Sequence, residues 1–292
     1  MNQTRRPRSL ERIIESVPTS DGAGVRLRRS LGRTQFTRLD PLLMLDEFSS
    51  YEADDYIAGF PAHPHRGFET VTYILDGHML HEDHLGNRGD LQSGGVQWMT
   101  AGRGIIHSEM PQQTEGRLRG FQLWLNLPAA EKMKPASYRD LPAATIPAIE
   151  LDAGVRAHVV AGRVTALDGA EVSGPIAGLS TAPVYIDLVL QPEAGCTLPL
   201  PESHNACVYP YEGALQIMGN GTPQELPTHQ LGVLTAGNSV TLRAGTAGAR
   251  ALLLAGRPLN EPIVQYGPFV MNTREEIEQA VRDYQSGTLV RA

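Results

Sequence analysis

Two short stretches in the first half of the chain have the residue types and spacing of metal ligands, His63-Pro64-His65 and His107-Ser108-Glu109. In extended backbone, residues i and i+2 project to one face. Each pair therefore offers two donors to one point, and two such strands facing each other offer four. Three neutral imidazole nitrogens and one carboxylate oxygen suit iron, nickel, copper, zinc or manganese. An octahedral ion held by these four keeps two positions for water, oxygen or substrate, so the expectation is one divalent transition metal at a site open to chemistry.

The rival readings are weaker. An isolated histidine is more often a hydrogen-bonded core or surface residue than a ligand, and one His-x-His is a weak signal, so the argument rests on two matched pairs in one Gly-rich segment. Pro64 has no N–H to donate, which suits a strand edge or entry. His78, His81 and His84 sit among Asp76, Glu82 and Asp83 and read as polar residues of a solvent-facing hairpin that turns at Gly86-Asn87. Glu69, four residues beyond His65, could share the histidines' face, but it lies roughly 13 Å along a strand from it. A closed structural zinc site is usually Cys-rich, and neither cysteine, Cys196 or Cys207, is near these residues.

The elements that must position these ligands read as strands. Leu42 to Leu45, Thr70 to Leu75, Val96 to Thr100 and Phe121 to Leu127 are apolar runs between turn clusters such as Gly94-Gly95 and Gly102-Arg103-Gly104. In the last run Phe121, Leu123, Leu125 and Leu127 share one face, and Gln122, Trp124 and Asn126 the other. The second half repeats the style at Arg156 to Val160, Val184 to Leu190, Ala206 to Tyr211, Leu231 to Leu234 and Ala249 to Ala255. This is the pattern of two antiparallel sandwiches, an all-β chain. The polar, Pro-bearing segment from Pro128 to Pro147 is the expected connection, giving domains over residues 1–135 and 136–292. One helix is signalled near the end by the capping box Thr273 to Glu276, the apolar stripe Ile277, Ala280, Val281 and Tyr284, and a stop at Gly287; it is assigned to the second domain.

Composition narrows the function. Gly and Pro together make up about 17% of the chain against about 12% on average, which favours turns over long helices. A net charge of -7 lacks the basic field of a nucleic-acid binder. The Arg5, Arg6 and Arg8 cluster, followed at once by Glu11 and Glu15, reads as solvated chain. Two cysteines cannot build a disulfide framework and are expected to be buried thiols. Arg5-Arg6 has no apolar export segment after it, and no run of about 18 apolar residues occurs, so the expectation is a cytoplasmic protein without a membrane partner.

Three stretches carry a family resemblance: Phe60 to Val71 (FPAHPHRGFETV), Trp98 to Met110 (WMTAGRGIIHSEM) and Gly267 to Thr273 (GPFVMNT), with Asp46-Glu47-Phe48 as a fourth match. Together they resemble the pirins, a branch of the cupin superfamily. The resemblance implies two cupin domains, each a jelly-roll β-sandwich. The first would hold one metal, usually iron, through the positions that match the family's ligands: His63, His65, His107 and Glu109. The second, where His158, His204 and His229 stand apart, is expected to be metal-free.

The second motif has Ala101-Gly102 where many cupins have Pro-x-Gly, so only the pirin branch is drawn on. Several pirins resemble quercetin 2,3-dioxygenases, which open flavonols with O2. In such an enzyme Glu109 would act as the base toward a small aromatic substrate. Other pirins are metal- and redox-sensitive regulators that bind a transcription factor or a metabolic enzyme, which would make the partner a protein. Phe60, Phe68 and Trp98 are candidate pocket residues.

Overall fold

The computed structural model of the protein describes residues 5–219 and 221–291. The chain forms two compact units: Val17–Ala144 with Leu259–Ala292, and the residues up to Ser16 with Thr145–Pro258. The division at residues 135 and 136 is therefore corrected, because each end of the chain belongs with the opposite half. Backbone pairing is the reason. Strand β1 (Leu10–Glu15) has its antiparallel partner at Gln230–Leu234, with Ile14 opposite Leu231 and buried. An unpaired strand would leave a row of polar backbone groups unsatisfied wherever it was buried, so membership follows the hydrogen-bond ladder.

The unit with the ligand motifs is two sheets and a small hairpin. Its strands are β2 (Val17–Asp21), β3 (Val25–Arg29), β4 (Leu42–Ser50), β5 (Phe60–His65), β6 (Phe68–Asp76), β7 (His78–Asp83), β8 (Arg88–Gln92), β9 (Val96–Thr100), β10 (Ile105–Pro111), β11 (Leu118–Asn126) and β12 (Ser137–Leu141). The larger sheet runs β12-β9-β6-β11-β4-β3-β2 and the smaller β5-β10-β7-β8. The four expected strands of this half fall on β4, β6, β9 and β11, the last ending at Asn126, one residue before Leu127. In β11, Phe121, Leu123 and Leu125 are at most 3% exposed. The other face, with Gln122 and Trp124, turns to a cavity between the sheets.

The terminal segment completes this unit. Val264–Tyr266 and Phe269–Met271 form a hairpin, followed by helix α1 (Arg274–Gln285). Thr273 accepts from the Glu276 N–H while Glu276 accepts from the Thr273 N–H, the expected reciprocal cap, and Gly287 follows the helix at φ +68°. Ile277 and Ala280 are buried with Phe269, Met271 and Leu289, while Tyr284 is half out in solvent. The assignment of the helix to the second domain is thus corrected: its apolar stripe covers the unit that carries His63 and His65.

The other unit is a second sandwich. One sheet holds β1 with the strands at 148–152, 155–161, 184–190, 205–212, 230–234 and 249–256. A four-stranded sheet and a two-stranded one accompany it. Its core is apolar, with Val155, Ile186, Leu188, Val208, Leu242 and Leu253 each 1% exposed or less. Cys196 and Cys207 are buried free thiols, and burial pushes the Cys196 thiol up to about 12. Arg8 is not solvated: it is 1% exposed, and its guanidinium donates to the carbonyls of Pro201, His204 and Thr235 at 2.8–3.2 Å. Among the described residues no helix is long and apolar enough to cross a membrane.

Candidate metal centre

Antiparallel pairing of β5 with β10 sets His107 opposite His63 and Ile105 opposite His65. Three histidines thereby converge: one ring nitrogen from each of His63, His65 and His107 lies within 4.8 Å of the others. The register then slips, leaving Glu109 opposite Phe60, three residues before His63. Glu109 groups with His107 and His81, again within 4.8 Å, and not with all three of the converging histidines. The four residues expected to act together are neighbours, with the carboxylate set to one side.

Proton positions follow from the partners. His63 Nδ1 lies 2.8 Å from the Pro61 carbonyl, which only accepts, so the proton is on Nδ1 and Nε2 carries a lone pair. That Nε2 faces His65 Nε2 at 3.0 Å. Two nitrogens bound about 2.1 Å from one ion at right angles would be about 3 Å apart. Among the described residues His107 Nε2 is buried with no hydrogen-bond partner, an arrangement that is costly unless something else engages it. Burial holds the His65 and His107 imidazoles well below their usual pKa, with the nearby histidines acting in the same direction, so both rings stay neutral and able to donate lone pairs. On these observations the residues fit a divalent transition metal.

Glu109 is 4% exposed and accepts from the Thr72 hydroxyl at 2.8 Å. Thr72 Oγ1 also meets the Gln122 side-chain amide at 2.6 Å. A hydroxyl has one proton; once it is given to Glu109, the amide must turn its NH2 toward Thr72. These side chains, with His63 and His65, form the polar wall of a cavity of about 600 Å³. Phe48, Phe60, Met44, Met79 and Trp124 are large apolar side chains that line it. At one side Arg29 is bidentate to Asp46 at 2.6–2.7 Å and also bonds Asp21, so its charge is already compensated.

Some expectations need correction here. His81 is 1% exposed and packs against His107, not in solvent. Phe60 lines the cavity, whereas Phe68 and Trp98 do not. Phe68 is fully buried behind Trp124, 4.3 Å between ring centroids. Glu69 accepts from Thr100 at 2.7 Å, outside both histidine groups. Met79, His81 and Asp83 all have buried side chains, so period-two alternation along β7 was the signal that could have found His81.

Fold and site together define a two-sandwich cupin with a histidine cluster at the cavity of one unit. The models for Pirin and for the Pirin C-terminal cupin domain match residues 24–125 and 185–290. A Pseudomonas aeruginosa protein, named provisionally as a quercetin 2,3-dioxygenase, is 57% identical over 93% of this chain and 94% of its own length. Human pirin is 40% identical over 94% of this chain and 91% of its own. A solved structure described as quercetin 2,3-dioxygenase from Acinetobacter baumannii superposes with a TM-score of 0.87 at 32% identity, covering 97% of this chain and 99% of that one. The chain belongs to the pirin family.

Proposed function

We propose that the protein is an iron-dependent dioxygenase that opens flavonols such as quercetin with O2. The observation that carries this reading is the placement of His63, His65 and Glu109 on the wall of a cavity of about 600 Å³ otherwise lined mainly by apolar side chains, with His107 converging on the two histidines. That size and character suit a small aromatic molecule. The relatives described as quercetin 2,3-dioxygenases support it.

His63, His65, His107 and Glu109 would hold the metal, which when bound supplies charge stabilisation for the substrate anion and a template for O2. Glu109 takes the proton of the flavonol 3-hydroxyl, and Thr72 and Gln122 hold its carboxylate in orientation. Phe48, Phe60 and Trp124 offer faces for planar rings and keep water out. Because Arg29 is neutralised by Asp46 and Asp21, the cavity favours an uncharged phenol over an anionic substrate.

The test is anaerobic metal analysis together with quercetin bleaching in air. About one metal per wild-type chain is expected, with turnover reduced roughly 10²- to 10⁴-fold in Glu109→Gln and metal lost in His63→Ala. Bound metal with no flavonol consumed would replace the enzyme with a metal- and redox-sensing regulator that binds a protein partner. Bleaching that does not depend on metal would sink the four-ligand set.

A further inference from the structure

For His107 Nε2 to offer its lone pair, the ring proton must sit on Nδ1, and that nitrogen faces His81 Nδ1 at 3.3 Å. His81 Nδ1 must then accept, which puts the His81 proton on Nε2. Among the described residues Nε2 is buried without a hydrogen bond, and Asp83 Oδ2 lies 3.6 Å from it. Asp83 is itself fixed: its carboxylate accepts from the backbone N–H groups of Leu85 and Asn87 and from the Asn87 side chain at 2.8–3.0 Å. The His81 ring is held flat against Tyr138, 4.5 Å between centroids and 25° between planes. One proton assignment suits the row: His107 Nδ1–H donates to His81 Nδ1, His81 Nε2–H is turned toward the Asp83 carboxylate at 3.6 Å, and His107 Nε2 keeps its lone pair for an ion.

We propose that Asp83 and His81 form a positioning relay that fixes the tautomer and orientation of His107 from behind, making His81 a determinant of metal affinity without itself binding the ion. The inference rests on the metal reading of the site and not on the reaction proposed for it. A ligating histidine whose other nitrogen loses its partner typically binds metal 10- to 100-fold more weakly. His81→Phe keeps a ring against Tyr138 and removes the acceptor, whereas His81→Asn places an amide oxygen close to where Nδ1 was.

The test loads metal-free protein with Co(II) and measures affinity by competition with a chromogenic chelator, alongside the cobalt absorption spectrum and the melting temperature of the metal-free form. Expected is one Co(II) per chain throughout, affinity roughly 10- to 100-fold lower in His81→Phe, and recovery to within a few-fold of wild type in His81→Asn. Wild-type affinity in His81→Phe would overturn the relay, as would a His81→Asn variant no better than His81→Phe. Two ions in wild type falling to one in His81→Phe would make His81 a ligand and also overturn it. No Co(II) in wild type would remove the metal reading along with the relay.

Discussion

Asp46 shows how one carboxyl at the cavity wall can tune the stability of the unit. Burial pushes its pKa up to about 6, and the Arg29 hydrogen bonds oppose that rise without cancelling it. In the unfolded chain the group ionises near 3.9. Below that pH both states are protonated, and Asp46 contributes its full stabilisation. Between about 4 and 6 only the unfolded state has released its proton, so the contribution is lost as pH rises. Urea unfolding at about pH 4.5 and 7.5 should show wild type losing more stability over that interval than Asp46→Asn. The opposite sign would mean that Arg29 holds the carboxyl below its usual value. None of this was legible in the motif Asp46-Glu47-Phe48, because the burial and the Arg29 contact come from pairing of β3 with β4. The i, i+2 spacing of His63 and His65 was legible, since it needs only extended backbone.

The turn between β5 and β6 is the element on which the site depends most directly. Gly67 has φ +92°, and a Cβ there would run into the Val270 carbonyl oxygen. Lys132 is 1% exposed, and its ammonium donates to the Gly67 and Val270 carbonyls and to Asn126 Oδ1 at 2.6–3.0 Å. Arg66 on the same turn is ion-paired with Asp283 of α1 at 2.7 Å. Gly67→Ala combines a disfavoured backbone conformation with a clash against main chain, and is expected to cost about 1–3 kcal/mol in denaturant unfolding and to weaken metal binding. An unchanged unfolding midpoint would show that the turn relaxes freely. Strands β4, β6, β9 and β11 and the capped helix were readable from their periods and caps; the register slip that moves Glu109 aside was not, because it depends on how β10 meets β5.

At the scale of the whole molecule, exchange of the chain ends decides what can be separated. A fragment of residues 1–135 lacks β12 and the segment from Leu259 onward, which supplies the hairpin and helix beside Arg66 and Gly67. It is expected to fail to hold metal, whereas residues 17–144 joined by a short linker to 259–292 should fold and bind it; circular dichroism and metal analysis of both pieces would check this. A fragment of residues 1–135 that bound metal normally would show that the terminal segment is dispensable.

The sequence by itself determined the all-β class, the principal apolar strands, the capped helix and the placing of His63 and His65 on one face, because alternation, capping and i, i+2 spacing are local properties of the chain. Only the tertiary structure decided that β1 and α1 cross to opposite units, that His107 converges on His63 and His65, that His81 is buried behind His107, and that Thr72, itself against Gln122, holds Glu109. Each of those depends on which distant strands pair and in what register, and pairing is settled by burial and backbone hydrogen bonding over the whole fold.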